Sequence, residues 1–255
     1  YAEPNYYVLP VSTTPNDPDF NSLWGQHNTG QFSGGTSDAD MDAVEAWSDF
    51  TGTAKSVVAV IDSGIQYTHP DLAGNMWSNP GEIPGNGIDD DNNGWIDDVH
   101  GYDFSDFDAN IIDDAPAMTS CNGCPGGHGS HVSGTIGAIG NNGVGVAGVN
   151  WDVSLMGMKI FPNATTAVVA GAVNYATIMR QTFNINITAI NASYGYLSAS
   201  GGSQIEKDSI AAVNAAGVVF VAASSNDGIN NDGTWRAYPA SFDLDGIISV
   251  AATDD

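Results

Sequence analysis

His128-Gly129-Ser130-His131-Val132-Ser133-Gly134-Thr135 is the stretch of this chain best suited to chemistry. A glycine-rich approach, Pro125-Gly126-Gly127, leads into a histidine that opens a predicted helix of small residues continuing to Ala138. Free N–H groups and the positive dipole end at a helix start disfavour imidazolium, so this placement is expected to help keep His128 neutral near pH 7. A general base has to be neutral imidazole. Upstream, Ser56-Val57-Val58-Ala59-Val60-Ile61 ends abruptly in Asp62-Ser63-Gly64. Such a β-branched run marks a strand buried on both faces, and its carboxyl end is where open α/β sheets bind ligands. Asp62 followed by His128 therefore offers a base and the carboxylate that orients it. These are the two groups that activate a serine nucleophile.

The elements that must place these residues follow from patterning. After a Gly/Ser linker (Gly34, Gly35, Ser37), Asp38 or Asp40 is expected to cap a helix reaching Phe50. Residues 77–127 read as a long acidic loop region without periodicity; loops of that length in a compact domain are usually functional or metal-ordered. Beyond it, strand and helix patterns alternate: strand 154–160, helix 166–180, strand 187–193, helix 204–216, and strands 218–223 and 247–252. Alternation implies an α/β fold with a mostly parallel central sheet, right-handed crossovers and helices on both faces, in three layers.

The 255 residues, 42% hydrophobic with 31 glycines, suffice for one large domain, read as residues 36–255 behind an extended arm at 1–35. Thirty Asp and Glu against five Lys and Arg give a formal net charge of −25. That balance argues against nucleic acid or an anionic membrane as partner and favours cation binding. No apolar run reaches the length of a membrane span. Cys121 and Cys124 are expected to form a small surface disulfide in an exported protein. Asp89-x-Asp91-x-Asn93-Gly94-Trp95-x-Asp97-Asp98 fits the start of an oxygen-ligand loop for calcium, with Trp95 offering its carbonyl. It lacks the terminal Glu and flanking helices of an EF-hand.

At this point a resemblance becomes specific. Val58-Ala59-Val60-Ile61-Asp62-Ser63-Gly64-Ile65 with His69-Pro70-Asp71-Leu72 resembles the catalytic-Asp region of the subtilisin-like serine proteases, and the His128–Thr135 stretch resembles their catalytic-His motif. Ile190-Asn191-Ala192-Ser193-Tyr194-Gly195 resembles the strand lining their substrate cleft. Val219–Gly228 resembles their oxyanion-hole segment, with Ser225 where glycine is more usual, and Tyr238-Pro239-Ala240 matches a further landmark. The likeness runs from about Thr14 to the end of the chain. It implies Asp62 as orienting carboxylate, His128 as general base and acid, and Asn226 as side-chain oxyanion donor. Ser193, Tyr194, Gly195, Ala223 and Ser224 would face an extended protein or peptide substrate.

Resemblance to the thermitase branch implies two further calcium sites: Asp17, Asp71 and Asn142 with carbonyls of Ile139, Val144 and Val146, and a group of Asp103, Asp106 and Asp108. One to three Ca2+ ions and no organic cofactor are therefore expected. The family's nucleophile lies in a Gly-Thr-Ser-type motif beyond the strand resembling residues 247–252, so a C-terminal Ser-bearing segment of the same protein is expected to complete the site. The arm at Tyr1–Pro10 resembles a processing boundary left by a removed propeptide. The implied function is a secreted, calcium-stabilised serine endopeptidase; the competing expectation is an inactive calcium-binding fragment that holds peptide without cutting it.

Overall fold

Alternation along one strand organises the molecule. The computed structural model describes residues 13–114 and 127–253; the first twelve residues of the arm, and Cys121 and Cys124, lie outside this range. The strands are β1 (Gly52–Asp62), β2 (Gly101–Asp103), β3 (Asp152–Lys159), β4 (Ile187–Ala192), β5 (Tyr196–Ser198), β6 (Val219–Ala223), β7 (Arg236–Tyr238) and β8 (Ile247–Val250). The helices are α1 (Ala43–Ala46), α2 (His128–Gly137), α3 (Thr166–Gln181) and α4 (Gln204–Ala215). Six strands form one sheet in the order β2-β3-β1-β4-β6-β8, with every neighbouring pair parallel. β5 and β7 form a separate antiparallel ribbon.

Side chains on a strand alternate between faces. Val57, Ala59 and Ile61 of β1 join a core with Met156 and Met158 of β3 and with Val169, Val173, Ala176 and Met179 of α3. Val58 and Val60 face the other way, into a core with Val153 and Leu155 of β3 and Val132 and Ile136 of α2. β1 is thus covered on both faces, as its continuous apolar run requires. The structure is the three-layer α/β fold expected, and its parallel strands bring their carboxyl ends to one edge.

Three local expectations change. The helix predicted to reach Phe50 shrinks to α1 because its caps are spent elsewhere. Asp40 accepts the N–H groups of Asn28 and Asp42 at 2.6 and 2.7 Å, and Asp38 and Asp42 adopt left-handed backbone at φ 70° and 55°. The acidic loop contains β2, too short to show a period. The part of the arm from Thr13 onward is packed: Phe20 is buried and its ring lies 5.8 Å from that of Trp47.

β2 can approach β3 only through two glycines. Gly101 has φ +118°, and a Cβ there would meet the Gly157 carbonyl oxygen at 1.8 Å. Gly101→Ala is expected to lose more than about 2 kcal/mol of stability in urea unfolding. Gly171→Ala, inside α3 with its nearest neighbour at 3.7 Å, is expected to gain roughly 0.5–1 kcal/mol.

Candidate active site

Asp62 is the last residue of β1, and its place in the alternation points it to the α2 side of the sheet. It is 1% exposed. His128, the first residue of α2, donates from Nδ1 to Asp62 Oδ1 at 2.7 Å. A carboxylate offers only acceptors, so this contact fixes the tautomer and leaves Nε2 bare. Close approach of helix to strand requires Gly129: a Cβ there would meet the Gly64 carbonyl at 2.2 Å and Asp62 Cβ at 2.9 Å. The Gly129 N–H donates to Ser63 Oγ at 2.9 Å, pinning the helix start to the residue beside Asp62.

Sequence reading missed Asp113. Its carboxylate accepts from the N–H groups of Gly127 at 3.3 Å and Ser130 at 3.0 Å, and from Ser130 Oγ at 2.9 Å. It thereby serves the unpaired donors of α2 from a distant segment, a capping role that no local pattern advertises. Ser130 Oγ in turn accepts from the Gln66 N–H at 2.9 Å. These contacts correct the expectation about His128. The Asp62 hydrogen bond raises its pKa above the usual 6.5, opposed by burial and reinforced by the Asp62 and Asp113 charges. The Asp62 and Asp113 carboxylates thus favour the imidazolium form of His128.

Strand register brings the other residues to the same edge. Ile61 lies beside Ala192, Ala192 beside Ala222, and Ala222 beside Ser249, so Asp62, Ser193 and Ala223 share a level. Ser224 is tied back to β8 by its N–H to the Val250 carbonyl at 2.8 Å. Ser225 has φ +86°, which accounts for glycine being usual at such a position; its hydroxyl donates to Asp227 Oδ2 at 2.5 Å and accepts the Asp227 N–H at 3.0 Å. Asn226 is held between them, with an exposed side chain. A Gly-Thr-Ser triplet does occur, at Gly35-Thr36-Ser37, but it precedes every strand among the described residues and sits in an exposed turn fixed by the Asp38 N–H to the Asn28 carbonyl at 2.8 Å. Among the described residues no serine hydroxyl is hydrogen-bonded to His128. A cavity of about 520 Å³ lies on the outer side of α2, lined by Trp24, Met41, His69 and His131 among others, and includes neither Asp62 nor His128.

The subtilisin-like arrangement of strand-end Asp, helix-start His and neighbouring strand ends has counterparts in known proteins. The sequence pattern of the Subtilase family matches residues 53–255. The chain belongs to the subtilase family. It is similar to Subtilisin-like protease 1 of Plasmodium berghei (strain Anka), 35% identical over 170 residues that cover 66% of this chain and 26% of the relative. It is similar to Thermitase of Thermoactinomyces vulgaris, 30% identical over 248 residues covering 94% of this chain and 66% of that one. Among solved structures, a protease from Pseudoalteromonas arctica superposes with a TM-score of 0.66 at 27% identity, over 94% of this chain and 66% of that chain. This subtilase chain thus spans a quarter to two thirds of the length of these relatives.

The acidic positions of this subtilase divide into separate groups. Asp91 and Asp98 converge with Glu82, which sequence reading missed, the three placing carboxylate oxygens within 4.8 Å of one another. Asp98 is fully buried, and burial pushes its pKa up to about 6 against hydrogen bonds from Tyr175, Asn79 and Asn93. Asp89 instead accepts the N–H groups of Asn93 and Gly94, and Asp97 those of Asn86 and Gly87. Trp95 packs its ring edge-on against Tyr175 at 4.8 Å. Asp17, Asp71, Ile139, Asn142, Val144 and Val146 do come together: Asp17 accepts from the Asn141 and Asn142 N–H groups, and Asp71 accepts from Asn142 Nδ2 and the Val146 N–H. The Ile139 N–H donates to the Asp71 carbonyl, and the Val144 N–H to Asn142 Oδ1. Asp103 is engaged otherwise. Its Oδ2 pairs with buried Lys159 at 3.1 Å, and its Oδ1 accepts from Ser105 and Asp106 N–H groups. Lys159 also binds Asp114 at 2.7 Å.

The His128 assignment yields a test. In an NMR titration of its ring protons, His128 is expected to titrate above 6.5 in the wild-type chain. Asp62→Asn should bring the midpoint down the most, and Asp113→Asn by less. The imidazolium's contribution to folding is full below the unfolded value of 6.5 and lost as pH rises through the raised folded value.

Proposed function

We propose that this chain supplies the Asp, the His and the oxyanion donor of a secreted, calcium-stabilised serine endopeptidase, completed by a Ser-bearing segment of the same protein. The observation that carries the reading is the 2.7 Å contact from His128 Nδ1 to an almost wholly buried Asp62, with the imidazole 40% exposed on its other side. In this reading bare Nε2 removes the serine proton and returns it to the leaving amine, while Asp62 steadies the imidazolium. Asn226 and a backbone N–H receive the oxyanion. An extended substrate adds as a strand along Ser193–Gly195, with Ala223 and Ser224 on its far side.

The sheet's bare side supports a further segment. Val219 of β6 and Ile248 and Val250 of β8 are 38%, 53% and 48% exposed, and the register puts them on one face, the side that α2 covers only over β1 and β3. Contiguous apolar surface of this kind marks an interface. Labelling the full-length protein with a fluorophosphonate probe tests the reading. Label is expected on a serine outside residues 1–255, and to vanish in His128→Ala. Label on a serine within 1–255, or none on the full-length protein, would sink it and leave peptide binding without cleavage.

Calcium fits the donor chemistry. Glu82, Asp91 and Asp98 form an all-oxygen set, half to fully buried, whose mutual repulsion a hard divalent cation relieves. The Asp17, Asp71 and Asn142 grouping would hold a second ion between the segment near residue 17 and the loop at 139–146. Such an ion supplies cross-linking and charge neutralisation, not bond chemistry. With calcium at about 100 times its Kd, the stabilisation is about 2.7 kcal/mol, so chelation is expected to lower Tm by roughly 5–10 °C. Glu82→Gln should shrink that difference; identical melting curves with and without chelator after dialysis would remove structural calcium from the reading.

A further inference from the structure

Glu206 on α4 is 0% exposed and takes no part in the chemistry above. Two phenols hold its carboxylate: Tyr196 donates to Oε2 at 2.8 Å and Tyr194 to Oε1 at 3.3 Å. The Ser203 N–H donates to the Tyr196 oxygen at 2.7 Å. Tyr194 lies between Ser193 and Gly195, and Tyr196 opens β5 next to them, opposite Tyr238 of β7 with ring centroids 6.0 Å apart. The backbone there is closely backed, since a Cβ on Gly195 would meet the Tyr238 carbonyl oxygen at 3.1 Å. One carboxylate therefore ties two side chains of a short segment from beneath.

We propose that Glu206 is a positioning residue: by holding the Tyr194 and Tyr196 hydroxyls it fixes the Ser193–Gly195 wall, and its ionised form grips an extended peptide more tightly than its protonated form. This rests on the reading that the segment lines the substrate cleft. An ionised carboxylate accepts from both phenols, whereas a protonated one has a donor of its own to place and gives up part of that grip. The titratable groups facing it are Tyr194 and Tyr196, with Tyr238 behind the Tyr196 ring; no described cation or second carboxylate hydrogen-bonds to it. Both phenols are driven upward by burial and by Glu206 itself, so they remain donors through neutral pH.

The energetics argue for position over stability. Burial raises the Glu206 pKa above 4.5 despite the two phenol hydrogen bonds. A group raised in the folded state contributes stability below its unfolded value and loses it as pH rises through the folded one. Ionising Glu206 therefore costs folding free energy in the same window in which it steadies the wall. A stability role and a positioning role thus carry opposite signs.

The test uses the isotopically labelled chain in calcium between pH 4.5 and 8, with a blocked Ala-Ala-Ala-Phe peptide as probe. In the wild type the amide signals of Tyr194, Gly195 and Tyr196 should step together with a midpoint above 4.5, and peptide affinity should rise about fivefold across that step, the worth of one hydrogen bond. Glu206→Gln, which preserves shape and one acceptor, should abolish both steps while leaving Tm at neutral pH equal or higher. Absence of the amide step, or the same steps in Glu206→Gln, overturns the inference. Amides that step without any response to peptide overturn it by a different route, because then the substrate-wall reading of Ser193–Gly195 has failed while the clamp itself exists.

Discussion

A buried carboxylate at the end of a strand cannot be left alone, and the architecture follows from that constraint. Asp62 has almost no exposed surface, so its charge requires donors from nearby. The Ser63 N–H reaches Oδ1 at 2.7 Å, and His128 reaches the same oxygen at 2.7 Å. Oδ2 has no partner among the described residues. To bring imidazole that close, α2 must begin directly over the strand end, which only glycine at 129 permits. The orientation of His128 is thus a consequence of where β1 stops and of how near the helix can come.

Charge is the second organising force. Thirty acids against five bases would repel one another in any compact fold, and the described structure handles them locally. Asp89, Asp97, Asp40 and Asp113 are turned onto backbone N–H groups, where each carboxylate satisfies donors that a turn or helix start leaves free. Lys159, fully enclosed, is shared between Asp103 and Asp114; burial works against its ammonium, yet the two carboxylates carry its pKa upward. That pairing fastens the strand ends to the segment bearing Asp113, and so to the helix that bears His128. The Glu82, Asp91 and Asp98 group has no such cation among the described residues, which is why a divalent ion suits it.

Much of this was legible from the chain because the period was strong. The β1 run, its ending in Asp62, and the helix opening at His128 rest on local pattern; the structure keeps the strand's end and the helix's start to the residue and extends the strand back to Gly52. Asp113 and Glu82 were not legible, because each acts on partners far away in sequence or outside the motif that drew attention. Asp113 serves donors 14 and 17 residues on, beyond any capping rule. Glu82 joins Asp98 through a loop whose acids look alike in sequence; which of them turn inward is decided by Tyr175, a side chain of α3, and by Asn79, earlier in the same loop. The loop motif pointed to the right region and the wrong subset.

The distribution of buried charge separates two kinds of work. The α3 side of the sheet is filled by Ile, Val, Met and Phe, together with Tyr175, whose hydroxyl reaches the acidic loop. Of the buried charged groups, Asp62, Lys159, Asp103 and Glu206 lie at the strand ends or on the connections that follow them, where each holds a neighbour in place, whereas Asp17, Asp71, Glu82 and Asp98 lie in loops with other acidic groups. A buried ion pair or lone carboxylate is seldom a better stabiliser than apolar packing of the same volume. The four at the strand-end edge therefore serve fixed orientation there, with the apolar layers supplying the stability that this edge consumes.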